Sequence, residues 1–304
     1  MAFWEGFREL GWAEIARKQS KYQSIQILES VDRRINLVLD GMEQFNSGDQ
    51  YRYHECLGIL PYMFNPYAKD ILILGGGDGL LAEHLLRLPI QSITIVDIDL
   101  EVIEICREYL NELNKGSLKD KQVKIVNEDA WDYVNNCKKK YDLVLCDYTD
   151  AFFLPCAKLY SIEHLKAIKK ILSKEGVVAM QLITPSIHPE AFWSMVFSFK
   201  VSFPGYVVLP YHVYMPYMKC DAAFCLATPN KNRIAEIPCE TEFLSKDIIP
   251  SLFVFAKDEQ IKAPVIPSTA QNLMYAKYMM RRRVHYLKNN RVIYEDFGNN
   301  ERRI

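Results

Sequence analysis

Two textures of hydrophobic and polar positions divide this chain. In the first, up to about residue 60, short alternating stretches prevail. Tyr22-Gln23-Ser24-Ile25-Gln26-Ile27 alternates polar and apolar side chains, the period of a half-buried strand. Ile35-Asn36-Leu37-Val38-Leu39 follows and runs into Asp40-Gly41, a turn signal. The pattern predicts a small antiparallel sheet, then a helix over Tyr51 to Leu60 that stops at Pro61.

From Asp70 the apolar runs become continuous. Ile71-Leu72-Ile73-Leu74 reads as a strand buried on both faces and ends in Gly75-Gly76-Gly77-Asp78-Gly79. Helical spacing over Leu80 to Leu88 leads to a second strand, Ser92 to Val96, and a second helix, Glu101 to Leu113. Further strands are predicted at Val123–Val126, Tyr141–Cys146 and Val177–Gln181, with a helix from Ile162 to Leu172 before the last. Alternating strands and helices require right-handed crossovers. They predict an α/β fold with a doubly wound, mostly parallel sheet. Residues 205–228 supply two more strands for its edge. Beyond residue 231 regularity falls, with a short helix expected within Phe243–Phe255 and a mobile tail from Asn289 to Ile304. The divisions expected are an N-terminal β region at 1–65, an α/β domain at 66–260, and a C-terminal extension at 261–304.

Composition narrows the class. The chain has 304 residues, 49% hydrophobic and 25% charged, with a formal net charge of -1. Such a balance provides a sizeable core and no bulk field to recruit nucleic acid or an anionic membrane. Arg281-Arg282-Arg283 reads as a solvated helix face. None of the eight cysteines forms a C-x-x-C pair, so no metal site is expected. No leader-like start and no run of ~18 apolar residues is present, so a cytoplasmic, non-membrane protein is expected.

The candidate chemistry lies at predicted strand ends. Gly75 to Gly79 falls at the carboxyl end of the first parallel strand, where open α/β sheets bind ligands. Taken alone, these glycines also suit a plain tight turn. Asp97 ends the second strand, about 20 residues on, where a carboxylate can accept from both hydroxyls of a ribose. Asp129 follows the third strand and can accept from an exocyclic adenine amine. Each acid by itself is equally a helix N-cap or a solvated loop residue. Asp78, inside the loop, would repel a pyrophosphate and favour a cation, which points to a sulfonium nucleoside rather than a dinucleotide. Asp147 and Asp150 follow the fourth strand. Several carboxylates around one cleft would suit a polycation, and their mutual repulsion would poise one of them to take a proton near neutral pH. Tyr53-His54-Glu55 is a further polar concentration, and also an ordinary amphipathic helix face.

The ordered series resembles the spermidine synthase family of aminopropyltransferases. It comprises Lys21-Tyr22-Gln23-Ser24-Ile25, Leu39-Asp40-Gly41-Met42-Glu43-Gln44 and Tyr53-His54-Glu55. It continues with Ile73 to Gly79, Val96-Asp97-Ile98-Asp99, Asp147-Tyr148-Thr149-Asp150 and Lys158-Leu159-Tyr160-Ser161. Ala191-Phe192-Trp193 and Pro210-Tyr211-His212-Val213 resemble a branch in which the synthase domain is often joined to a membrane domain.

The resemblance implies transfer of the aminopropyl group of decarboxylated S-adenosylmethionine to an amine, putrescine by default. The donor is a co-substrate, and no tightly bound cofactor is expected. Gln23 and Asp97 would hold the ribose and methylthio side, with Gly75 and Gly77 beside the nucleoside. His54 and Asp78 would flank the aminopropyl arm, and Asp129 would bind adenine. Asp147 would be the base, Tyr53 would orient the amine, and Asp150 and Tyr217 would hold the acceptor. A homodimer is expected.

Departures cluster on the acceptor side. Ala151 stands where the family has proline, Tyr217 to Ala223 lacks the family's glycines, and Gln50 replaces the acid after Asp49. Two other readings stay open. One is a methyltransferase on the same sheet, although Ile73 stands where such enzymes often carry an acid. The other is a non-catalytic member that binds nucleoside or a partner protein.

Overall fold

A computed structural model describes residues 11–151, 154–230, 234–261, 264–286 and 292–296. Strands β1 (Trp12–Gln19), β2 (Ser24–Ser30), β3 (Ile35–Leu39) and β4 (Met42–Asn46) form an antiparallel sheet in that order. The alternation around Tyr22 thus becomes β2. β1 lies ahead of the predicted strands, and half-buried and exposed residues alternate along its length. Asp40 and Gly41 join β3 to β4 with φ of 48° and 80°. Positive φ at both central residues is the hairpin geometry that matches strand twist.

The predicted helix before the main sheet begins at Gln50 but does not stop at Pro61. It runs through a π turn, Glu55–Ile59, into a last helical turn, Leu60–Tyr62. Proline has no amide to donate. The carbonyl of Cys56, five residues earlier, instead receives the Tyr211 hydroxyl at 3.0 Å. Glu55 is fully buried, and its carboxylate accepts the backbone amides of Glu242, Phe243 and Leu244. The third residue of Tyr53-His54-Glu55 therefore anchors a loop.

The main sheet has seven strands, ordered β10-β11-β9-β8-β5-β6-β7. They are β5 (Asp70–Gly75), β6 (Ser92–Asp97), β7 (Val123–Asn127), β8 (Tyr141–Asp147), β9 (Leu172–Leu182), β10 (Val207–Met215) and β11 (Cys220–Thr228). β5 to β9 pair in parallel, while β10 and β11 add an antiparallel edge. The expected α/β architecture is the one observed. Ile71 to Leu74 and Leu143 to Cys146 are all fully buried, as central strands covered on both faces must be.

The chain winds from β5 outward to β6 and β7, then returns to the other side of β5 as β8. The strand order reverses between β5 and β8, so a crevice opens beyond their carboxyl ends. The helix Pro189–Ser202 packs on the far face through Phe192, Met195 and Phe199.

The C-terminal expectations need revision. The short helix within 243–255 is confined to Ile249–Leu252. Only Arg281 of the triple-arginine cluster ends a helix. Arg282–Tyr286 is a strand, β12, that pairs with β13 (Val292–Asp296) inside the expected tail. The remainder of that tail lies outside the described residues. Among the described residues no helix is long and apolar enough to cross a membrane.

Candidate active site

A cavity of about 860 Å³ opens at the carboxyl ends of β5, β6 and β8, with residues of the β3–β4 hairpin in its lining. Gly75, Gly77, Asp78, Asp97, Asp129, Asp147 and Asp150 line it, as do Gln23, Tyr53 and His54. The loop after β5 and the acids at successive strand ends are thus brought together.

The glycines are there for space. Gly75 has φ of 86°, and a Cβ on it would lie 2.0 Å from the Asp147 carbonyl oxygen. Gly77 lets its amide donate to Asp97 Oδ2 at 3.1 Å, and a Cβ there would stand 2.7 Å from the same oxygen. Asp97 Oδ1 accepts the Asp99 amide at 2.9 Å, so the carboxylate is fixed at the end of β6. Asp78 is held by the Leu80 amide at 2.8 Å.

Tyr53 Oη donates to Asp147 Oδ1 at 2.6 Å, and Gln181 Nε2 donates to Asp150 Oδ1 at 2.9 Å. The Gln181 carbonyl in turn accepts from Tyr160 Oη at 3.1 Å. Gln181 and Tyr160 orient Asp150, and neither was singled out from sequence for that task. The usable signal was positional: Gln181 is near the carboxyl end of β9, which adjoins β8.

Desolvation dominates the electrostatics. It raises Asp78 to about 7, with Asp147 and Asp97 adding repulsion. Asp147 is raised to about 6 by burial, against the lowering effect of the Tyr53 hydrogen bond. Asp97 likewise rises to about 6 by burial and the nearby Asp99 charge. Asp150 is raised by burial, opposed by Gln181. Burial lowers His54 to about 3, so its ring is neutral, and its Nδ1 faces the Gln50 carbonyl and Oε1 at 2.8 and 2.7 Å. A carboxylate in place of the Gln50 amide would favour the charged ring.

Three of the expected site residues have protein partners of their own. Gln23 Nε2 donates to Asp99 Oδ2 at 3.0 Å. Asp129 lines the cavity but is also the N-cap of helix Ala130–Asn136, accepting the Trp131 amide at 2.8 Å and Lys158 Nζ at 2.9 Å. Tyr217, expected to hold the acceptor, is not in the cavity lining. Its ring fills the space beside Gly48 and lies under the Arg34 guanidinium, 4.4 Å from the centroid, while its amide donates to Asp49 at 2.7 Å. Met215, Met218, Cys220, Asp221 and Ala222 form that wall instead. In the glycine-free turn, Lys219 adopts φ of 54°, a conformation glycine would take without strain.

The sequence matches the spermine/spermidine synthase domain over residues 50–235. The chain belongs to the spermine/spermidine synthase family. It is 34% identical over 266 residues to the polyamine aminopropyltransferase of Oceanobacillus iheyensis, covering 86% of this chain and 51% of that one. The Mycobacterium tuberculosis polyamine aminopropyltransferase (strain H37Rv) is 34% identical over 268 residues, covering 85% of this chain and 50% of its own. The chain therefore spans about half the length of the curated relatives it matches. The crystal structure of Thermotoga maritima spermidine synthase superposes with a TM-score of 0.71 at 24% identity, over 80% of this chain and 84% of that one. A spermidine synthase bound to the transition state analogue AdoDATO gives 0.72 at 24% identity, over 80% and 85%. These structures share this family member's fold.

Proposed function

We propose that this family member transfers an aminopropyl group from decarboxylated S-adenosylmethionine to an aliphatic amine, putrescine by default. The observation that carries the reading is the set Asp78, Asp97 and Asp147, recessed together at the strand ends without a matching cation. Lys158 is the one lysine or arginine in the described lining, and it is engaged by Asp129. Such a site favours cations, and the raised carboxylates are poised to ionise when a cation arrives. A sulfonium nucleoside and an ammonium are ligands of that kind. The names of the curated relatives agree with this chemistry.

In this reading Asp97 accepts from the ribose, Gly75 and Gly77 let the backbone approach the nucleoside, and Gln23 and His54 complete the donor pocket. Asp129 faces adenine. Asp78 lies by the aminopropyl arm. The amine nitrogen, freed of a proton by Asp147, donates its lone pair to the methylene carbon next to sulfur. The N–C bond forms as the C–S bond breaks. The bonding pair goes to sulfur, and neutral methylthioadenosine leaves. Tyr53 holds Asp147, and Asp150 holds the acceptor. Tyr217 takes no part.

A homodimer acting in the cytoplasm belongs to the same reading, as does the division into regions 1–65, 66–260 and 261–304. The exposed alternation of β1, an edge strand, supports the dimer.

Mass spectrometry of products from the decarboxylated donor and a mixture of amines tests the function. The expected products are methylthioadenosine and an aminopropylated amine. Methylated products would select a methyltransferase. Nucleoside binding with no product from any amine would select a non-catalytic member.

A further inference from the structure

Resting on the transfer reading, we infer that Tyr275, far along the chain, is a positioning residue for the amine acceptor. It acts on Asp150 through Tyr160 and Gln181. It lies beyond residues 50–235, the span matched to the synthase domain. The linkage is a chain of short contacts. Gln181 Nε2 donates to Asp150 Oδ1 at 2.9 Å. Tyr160 Oη lies 3.1 Å from both Gln181 Oε1 and the Thr149 carbonyl oxygen. A phenol has one proton to give, so the place of the Tyr160 ring decides how well Gln181 is held. The Tyr275 ring fixes that place. It stacks on Tyr160 with centroids 4.5 Å apart and planes 13° apart. Tyr275 is anchored in turn, because its Oη accepts the Ile183 amide at 2.7 Å, two residues after Gln181.

Both tyrosines are fully buried and neither is in the cavity lining, whereas Gln181, Thr149, Asp150 and Ile183 are. The tyrosines therefore reach an acceptor only through the residues they hold. The segment that carries Tyr275 also borders the cavity itself. Ala270 and Leu273 line it, and Leu273 adopts φ of 50°. That conformation is uncommon for a leucine and persists only where its surroundings over-determine it. Asn272 supplies much of that constraint. Its Oδ1 accepts the Thr269 and Met274 amides at 2.8 and 3.0 Å, and its Nδ2 donates to the Pro267 carbonyl at 3.1 Å. The Leu273 amide donates to the Thr269 carbonyl at 2.9 Å. A turn locked by its own hydrogen bonds thus sets where helix Met274–Arg281 begins, and with it the place of Tyr275.

The test is a double-mutant cycle between Tyr275→Leu and Asp150→Asn, read in the KM for putrescine with saturating decarboxylated donor. Tyr275→Leu removes the stack and should raise that KM about tenfold, with a smaller effect on kcat and none on methylthioadenosine affinity. Tyr275→Phe keeps the stack and should retain most of the parental KM. Once the Asp150 carboxylate is gone, losing Tyr275 should cost nothing more, so the double variant should match Asp150→Asn alone. A buried aromatic with a purely structural role would give independent effects that multiply, and that outcome overturns the inference. So does an unchanged KM in Tyr275→Leu. Should Tyr275→Leu fail to fold by circular dichroism, Tyr160→Phe takes its place, and independence from Asp150→Asn has the same force. The cycle is repeated in the calorimetric Kd of putrescine for the chain saturated with methylthioadenosine. Coupling in that Kd without product from any amine would overturn the transfer reading and leave the positioning role standing. A parent that neither binds nor converts an amine would overturn both.

Discussion

The Tyr53 hydroxyl and the Asp147 carboxylate meet at 2.6 Å, joining the helix that begins at Gln50 to the carboxyl end of β8. Burial and the Asp147 charge raise Tyr53 well above the ordinary phenol range, so it stays a donor at working pH. Its hydrogen bond favours the ionised form of Asp147 and partly offsets desolvation. Tyr53→Phe removes that bond, and Asp147 should rise further above about 6. The acidic limb of the kcat/KM profile should move to higher pH. At pH 7 kcat/KM should fall about ten- to a hundredfold, in line with about 1.5–3 kcal/mol for a hydrogen bond to a charged group. An unshifted limb in a pH–rate profile would separate Tyr53 from the ionisation of Asp147.

Gly75→Ala tests whether β5 and β8 require a bare backbone. The new methyl would lie 2.0 Å from the Asp147 carbonyl oxygen, at a φ of 86° that L-residues rarely adopt. The clash involves backbone on the adjacent strand and cannot be relieved by a side-chain rotation. Loss of stability by at least about 1–3 kcal/mol is expected from the strain alone. Urea denaturation measures it. Gly77→Ala has no such φ penalty and meets side chains rather than backbone, Asp97 Oδ2 at 2.7 Å and Ile103 at 3.2 Å. It should fold and lose nucleoside affinity, measurable with methylthioadenosine.

Much of this arrangement was legible because central parallel strands are written as unbroken apolar runs. Ile71 to Leu74 and Leu143 to Cys146 could hardly be anything else, and their ends carried Gly75, Asp78 and Asp147 to one crevice. Helix Pro189–Ser202 was not read as an element. It buries Phe192, Met195 and Phe199 yet leaves Phe197 49% exposed, so its polar face is weak. The continuation through Pro61 depended on a hydroxyl from Tyr211, a contact between residues 155 apart. Partners of this sort also decided Asp129 and Gln23: local strand-end position was visible, but Lys158 and Asp99 were not assigned to them. The place of Tyr217 outside the cavity lining was not legible either, because it depends on Gly48 leaving a space that the ring fills.

The ligand-free chain should lose stability as pH rises. Asp78, Asp97 and Asp147 have folded values of about 7, 6 and 6, above the ordinary carboxylate value near 3.9. A raised folded value means that the native state binds more protons than the unfolded chain between these limits. The resulting stabilisation is complete below about pH 4 and disappears as pH rises through 6 to 7, on top of the general acid sensitivity of the rest of the chain. A bound cation stabilises the ionised carboxylates and should reverse this trend. Spermidine with methylthioadenosine is therefore expected to raise Tm more at pH 8 than at pH 5.5. Differential scanning calorimetry at the two values checks it, and an equal rise at both would contradict the raised carboxylates.

Donor choice follows from Asp78. It sits in the loop between β5 and helix Leu80–Leu86, held by a backbone amide and without an ion-pair partner among the described residues. A donor that carries an α-carboxylate would bring a second negative charge toward this group. The decarboxylated sulfonium nucleoside should bind at least tenfold more tightly than S-adenosylmethionine, a difference of about 1.4 kcal/mol. Asp78→Asn should narrow the gap by weakening the decarboxylated donor more than the other. Calorimetric titration of both nucleosides into parent and variant gives the comparison. Equal or tighter binding of S-adenosylmethionine to the parent would refute the donor assignment.

The base assignment rests on Asp147, and its removal separates proton transfer from binding. Asp147→Asn keeps the shape of the side chain and an oxygen for Tyr53, so the fold and methylthioadenosine binding should persist. It removes the charge and the basicity. Turnover should fall by about two orders of magnitude or more, the range for loss of a general base. Raising pH should partly rescue the variant, because more acceptor is then neutral without help. Asp150→Asn should behave differently. Asp150 is oriented by Gln181 beside the reacting groups, and its loss should raise the acceptor KM with a smaller effect on the rate at saturation. Single-turnover rates against pH, measured for both variants with saturating donor and acceptor, distinguish the two roles. If Asp147→Asn reacts at the parental rate under those conditions, the proton goes elsewhere, and Asp78, a carboxylate of the same cleft raised to about 7, becomes the group to test.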